Sequence, residues 1–240
     1  MRKSNAVWLT VNAVVVAIIC VLAYVYQKMG FSQKIKFINS ATFSALGFFN
    51  LAYALITKRA KPIFYIGMAI GLFFAFLADY FIDRNFVLGV AVFALAHISF
   101  VLAYCFLQKY KLLDLFVSLA LFLSSAIFLL VVPFVNYDIF ALRLVCVGYA
   151  LIISSMVGKS LGNFIRNKNY STGVMAFASV LFFFSDLMLV FSAFVTNWKW
   201  ADNVCMGTYY PAVSLLAFAT CLQGILDGKK KGRKREDVIL

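Results

Sequence analysis

Acidic residues are scarce in this chain. Its 240 residues include nine Asp plus Glu, one histidine and three prolines, and charged residues of either sign make up only 13%. Soluble domains carry roughly 25% charged residues, so an ordinary water-soluble fold is excluded. The prolines, Pro62, Pro133 and Pro211, leave most of the long apolar stretches unbroken, which argues against the discontinuous helices of many transporters. The five cysteines (Cys20, Cys105, Cys146, Cys205 and Cys221) show no CxxC spacing. They carry neither a redox motif nor a metal motif and read as packing residues.

What the chain has is hydrocarbon: 64% hydrophobic residues, 27 of them Phe. A membrane-crossing helix needs about 20 apolar residues. Eight such runs can be traced, near 6–26, 37–57, 62–82, 86–107, 112–132, 138–158, 173–195 and 204–226, joined by short loops. The expected fold is all-α: a polytopic membrane helix bundle of eight transmembrane helices forming one domain over 1–228. A basic cytoplasmic tail, 229–240, is expected to be disordered. Arg2-Lys3 precedes an apolar run without a small-x-small cleavage site, so the first run is read as an uncleaved span.

Charge orients the bundle. With a cytoplasmic N-terminus, that face carries Arg2, Lys3, Lys58, Arg59, Lys61, Lys109, Lys111, Lys159, Arg166 and Lys168. The tail adds Lys229, Lys230, Lys231, Arg233, Lys234 and Arg235, making sixteen. The opposite face has five, Lys28, Lys34, Lys36, Arg84 and Lys199, with Arg143 inside the sixth run. The imbalance places both termini in the cytoplasm. The net charge of +13 is thus a topology signal spread over several loops, and no nucleic acid partner is expected. The GKKKGRKRE cluster suits either anionic lipid head groups or a solvated tail. The membrane is expected to be a bacterial inner membrane rather than a eukaryotic internal one.

Two carboxyl groups stand out against this background. Asp79 lies in GLFFAFLADYF and Asp186 in SVLFFFSDLMLVF, and an ionisable side chain in hydrocarbon marks a functional site by default. In the predicted topology Asp79 sits about 6 Å and Asp186 about 13 Å inside the outer edge, at ~1.5 Å per residue. His97 falls near the midplane, and Arg143, Tyr209 and Tyr210 enter from the outer side. Their depths agree with a shared cavity. Each also has a plain structural reading: a carbonyl partner for His97, snorkelling for Arg143, and an aromatic belt for the tyrosines. Asp83 and Asp138, at the ends of runs, are expected to be solvated.

Several segments follow one another in a recognisable order. Lys61-Pro62 opens the third run, which leads through GLFFAFLAD to Asp79. Phe86, Gly89, Phe93 and His97 then form F-x-x-G-x-x-x-F-x-x-x-H, preceded by Asn85. Tyr149 and Met156 frame YALIISSM, Ser185-Asp186 end SVLFFFSD, and YYPA spans Tyr209 to Ala212. Together, over about 58–220, these resemble the YhhN-like lysoplasmalogenase family of eight-span membrane proteins. Three positions depart from the family pattern: Ala78 replaces a usual Gly, Phe100 an aromatic hydroxyl, and Val213 a common Gln.

The resemblance implies hydrolysis of the vinyl ether bond of lysoplasmalogens, giving a fatty aldehyde and glycerophosphoethanolamine or glycerophosphocholine. The expected partners are this lysophospholipid substrate and membrane lipids, with no cofactor and no metal. Such chemistry needs a protonated carboxylic acid, which an apolar setting favours, and a second carboxylate to stabilise a cation and activate water. Asp79 and Asp186 would form that pair, in an order left open, with His97 assisting as a third catalytic residue. Tyr209, Tyr210, Arg143 and Lys61 would bind substrate, although Lys61 belongs to the opposite face in this topology. Three alternatives remain: a proton-coupled membrane transporter using the same Asp and His, a metal-dependent hydrolase with those residues as ligands, and a family member with altered or lost activity.

Overall fold

A computed structural model describes residues 3–131, 140–195 and 200–236. They form eight helices: α1 (Lys3–Lys28), α2 (Gln33–Ile56), α3 (Pro62–Ile82), α4 (Phe86–Leu107), α5 (Leu112–Val131), α6 (Phe140–Arg166), α7 (Tyr170–Phe194) and α8 (Trp200–Glu236). Local chemistry accounts for many of the boundaries. Pro62 occupies the first turn of α3, where its missing N–H is no loss. The Asn85 side chain caps α4 by accepting from Leu88 N at 3.0 Å. Asn169 and Thr172 form a capping box at the start of α7.

Seven helices are long and apolar enough to cross a membrane, and α2 falls outside that set. Its 24 residues still span about 36 Å, more than the ~30 Å hydrocarbon layer. The reason for its lower hydropathy lies in its inward face, where Lys36, Asn39, Ser40, Ser44 and Asn50 are all buried. The helix hides polar groups in the bundle and shows lipid its apolar side. Asn50 uses four hydrogen bonds: it accepts from Trp8 Nε1 at 2.7 Å and Asn12 Nδ2 at 2.9 Å, and donates to Asn12 Oδ1 at 2.8 Å and Ala217 O at 2.9 Å. This network ties α1, α2 and α8 together where lipid offers no hydrophobic drive to association.

The best-buried helix is α8, packed against α1, α2, α3 and α7, while α5 contacts α6 at the periphery. Helices α3 and α4 approach closely because small residues line their seam. A Cβ on Gly71 would lie 2.4 Å from the Phe100 ring, and one on Gly89 2.5 Å from the Ile82 backbone. Phe100, where the resemblance expects a hydroxyl, is buried as packing against that glycine.

Two helices run past their expected ends. α6 continues from the expected limit at 158 to Arg166, and α8 runs on to Glu236. Lys and Arg are good helix formers, so basic residues beyond a run do not by themselves end its helix. Lys159, expected in a loop, is fully buried instead and donates to Asp114 Oδ2 at 3.0 Å. Arg166 grips the same carboxylate with both terminal nitrogens, at 2.5 and 3.0 Å. Asp83 is not merely solvated: it accepts from Lys36 at 2.6 Å and Gln33 at 2.9 Å, because α2 starts beside the end of α3. Asp138 lies outside the described residues.

Candidate functional site

Asp79, near the C-terminal end of α3, is 5% exposed. Its Oδ2 accepts from Ser40 Oγ of α2 at 2.5 Å and from Tyr209 OH of α8 at 2.9 Å. The Tyr210 hydroxyl stands 3.5 Å from the same serine oxygen. Both tyrosines are buried, which removes the aromatic-belt reading. They follow one another just before Pro211, and their rings meet edge to face with centroids 5.1 Å apart.

Asp186, on α7, is 8% exposed. Tyr149 of α6 donates its hydroxyl to Asp186 Oδ2 at 2.5 Å. His97 of α4 places Nε2 at 2.7 Å from that hydroxyl and 3.3 Å from the same carboxylate oxygen. With Tyr149 donating to Asp186, the phenol oxygen is left to accept from His97 Nε2–H. Nδ1 then lies 3.2 Å from the Met156 sulfur. The spacing of these residues explains how they meet. Gly89, Phe93 and His97 repeat every four residues, which puts them on one face of α4, and Tyr149 and Met156 share a face of α6 across two turns.

The two aspartates line one cavity of about 20 Å³, together with Phe93, Ser185, Cys205 and Tyr209. This exceeds the ~10–15 Å³ that one water molecule requires. Phe182 packs edge-on against His97 at 4.6 Å and Tyr209 at 5.3 Å, so a single ring touches both halves of the site. Two further cavities adjoin. One of about 30 Å³ shares Phe93 and Asp186 and reaches Tyr149. The other, about 90 Å³, shares Asp79 and leads outward past Ser40 to Lys36 and Arg84. Among the described residues, Oδ1 of each aspartate accepts no protein hydrogen bond, both sets of donors being spent on Oδ2.

Of the residues singled out in the sequence, Asp79, Asp186, His97, Tyr209 and Tyr210 come together. Arg143 sits about 9 Å along α6 from Tyr149, toward the N-terminal end of the helix, and lines none of the three cavities. Lys61 is about 27 Å along α3 from Asp79. There, in a left-handed backbone conformation with φ 59°, it donates to Leu107 O at 2.6 Å. A cation on the last carbonyls of α4 suits a helix C-terminus. Ser40 and the bridging role of Tyr149 were not foreseen. The signal for Ser40 was available as a polar stripe, Lys36, Ser40 and Ser44, at four-residue intervals in an apolar run. Among the described residues, no three His, Cys, Asp or Glu side chains group as a metal site.

The fold and site define a multi-pass helical membrane protein with a pair of buried carboxyl groups around one small cavity. The sequence profile of the YhhN family matches residues 39–220, and the chain belongs to that family. No curated protein and no solved structure matches it.

Proposed function

We propose that this protein hydrolyses the vinyl ether bond of lysoplasmalogens, releasing a fatty aldehyde and glycerophosphoethanolamine or glycerophosphocholine. The observation that carries this reading is the pair Asp79 and Asp186 lining one cavity of single-water size. Each carboxyl is anchored through one oxygen, with the other oxygen taking no protein hydrogen bond among the described residues.

The geometry suggests an order of roles. Asp186 is linked to the His97 imidazole, 3.3 Å away, through the Tyr149 hydroxyl, a relay that can take up a proton lifted from water. The immediate partners of Asp79 are neutral hydroxyls. We therefore assign Asp79 as acid and Asp186 as base. Asp79 transfers its proton to the β-carbon of the vinyl ether, leaving an oxocarbenium ion at the carbon bonded to oxygen. Water adds to that carbon while Asp186 takes its proton, and a hemiacetal results. The hemiacetal collapses when Asp186 returns the proton to the glycerol oxygen and Asp79 removes the hemiacetal hydroxyl proton. One water is consumed and both carboxyl groups regain their starting states. Tyr209 and Tyr210 would hydrogen-bond the glycerol backbone.

The test is turnover of lysoplasmenylethanolamine and lysoplasmenylcholine by purified protein in D₂O, with the aldehyde reduced in situ before it can enolise. The expected product carries one deuterium at C2, because the attacking proton enters there. Aldehyde without label at C2 would rule out protonation at carbon. The His97–Tyr149–Asp186 chain also suits proton movement, which favours one second reading, a proton-coupled transporter. Substrate flux in liposomes without lipid turnover would select it.

A further inference from the structure

The outer mouth of the site holds two cations that bond cleavage does not use. Lys36, only 3% exposed, and Arg84 line the cavity of about 90 Å³ whose deeper wall is Ser40 and Asp79. Asp83 steadies Lys36 at 2.6 Å, and its second partner at the mouth is Gln33 at 2.9 Å. Arg84 lies over the Tyr80 ring at 3.8 Å and donates to the Tyr80 carbonyl at 2.5 Å. An ammonium has three N–H donors and a guanidinium five, so one described bond from each leaves donors of both for a ligand. With Asp79 as the proton-bearing acid, two cations against the carboxylate of Asp83 leave this mouth net positive. An anion with several acceptor oxygens matches it, and phosphate is the group such donors suit best.

An apolar strip starts at the same mouth. Phe37 packs on Phe76 at 5.5 Å, Phe76 on Phe73 at 6.3 Å, and Phe73 on Phe48 at 6.0 Å, along the seam of α2 and α3. Phe37, Phe73 and Phe48 are exposed there, on the lipid side of the bundle. The step from Lys36 to Ser40 is about 6 Å along α2, comparable to a glycerol backbone.

We infer that this mouth is the head-group seat of a single-chain phospholipid. Lys36 and Arg84 hold its phosphate diester, the chain lies on the phenylalanine seam, and the bond between them is delivered to Asp79. The inference rests on reading the aspartate pair as a lipid-cleaving site, and it names the part of the substrate that the reacting centre leaves unassigned.

The test uses ligands that cannot be cleaved. Binding to the full-length protein in detergent is titrated with 1-alkyl-glycerophosphocholine, with 1-alkylglycerol, and with glycerophosphocholine lacking a chain. Wild type is expected to bind the alkyl lysophospholipid at least about tenfold more tightly than the alkylglycerol, as one charge-assisted contact would give. Arg84→Gln should collapse that preference and Arg84→Lys should keep part of it. Arg84 is exposed, so its substitution does not threaten folding as Lys36→Gln does. Equal affinity for the two alkyl lipids in wild type overturns the inference. So does glycerophosphocholine binding as tightly as the lipid, which would mark a site for soluble phosphate esters. A head-group preference without aldehyde release would uphold the seat and reject the proposed hydrolysis; release without preference would do the reverse.

Discussion

Tyr149 and Asp186 share a 2.5 Å hydrogen bond across the α6–α7 seam, and the phenol oxygen that donates it also meets His97 Nε2 at 2.7 Å. One hydroxyl thus mediates between the imidazole and the carboxylate. Tyr149→Phe keeps the ring and deletes the bridge. The expected result is a fall in kcat of about 10²-fold, the lower range for a positioned proton-transfer group, with KM little changed. A rise in KM at constant kcat would assign Tyr149 to substrate binding instead.

Asp79→Asn and Asp186→Asn preserve shape and remove the titrating proton. Each is expected to lower aldehyde release by about 10²–10⁴-fold, while the protein stays monodisperse with an undiminished Tm. The double variant should be scarcely slower than the worse single one, because the two groups act as a unit. Independent, multiplicative losses would show that the two aspartates do not act as one catalytic unit.

Asn50 is the hub of the α1–α2–α8 network, with four hydrogen bonds. Asn50→Leu leaves Trp8 Nε1 and the Asn12 side chain short of partners. Interhelical hydrogen bonds in membranes average about 0.6 kcal/mol each, so a loss near 2 kcal/mol is expected. Thermal unfolding in detergent reads it. Turnover per folded molecule should hold, since the network lies outside the three cavities.

Asp114, Lys159 and Arg166 form a buried ion cluster joining α5 to α6. Removing one member of such a set leaves an unpaired buried charge and costs about 3–5 kcal/mol. Asp114→Asn should therefore lower Tm sharply, and adding Lys159→Met should recover much of the loss. If the two substitutions destabilise additively, the pair is not energetically coupled.

Much of this architecture was readable from composition along the chain. Seven of the eight runs are apolar enough to cross a membrane, and their helices match the expected runs closely in the middle of the chain. The boundaries differ where Lys and Arg lie inside helices and not in loops. Lys159 is buried in α6, stabilised by an aspartate 45 residues away, and no local signal announces such a partner. Asp79 and Asp186 were legible because a carboxyl group in hydrocarbon is costly and so conspicuous. Ser40 is legible only as a member of the stripe Lys36, Ser40 and Ser44, because a lone helical serine can satisfy itself on the preceding turn. Tyr149 was one of 12 tyrosines, noticed only through resemblance. Lys36 and Arg84 read from the sequence as topology-setting charges, because nothing local marks a charged side chain as a ligand.

The sequence by itself determined the number of helices and where along the chain the middle of each one falls. It also set how far along its helix each polar side chain lies. Those properties follow from one coordinate, distance along the helix axis, and that distance scales directly with residue number. Which polar groups meet was decided by tertiary structure alone. Side chains turn by about 100° per residue around a helix, and depth says nothing of that rotation or of which helix stands next to which. Ser40, Asp79 and Tyr209 come from three helices, and His97, Tyr149 and Asp186 from three others. The packing of α3, α4, α7 and α8 brings the two carboxyl groups to one cavity.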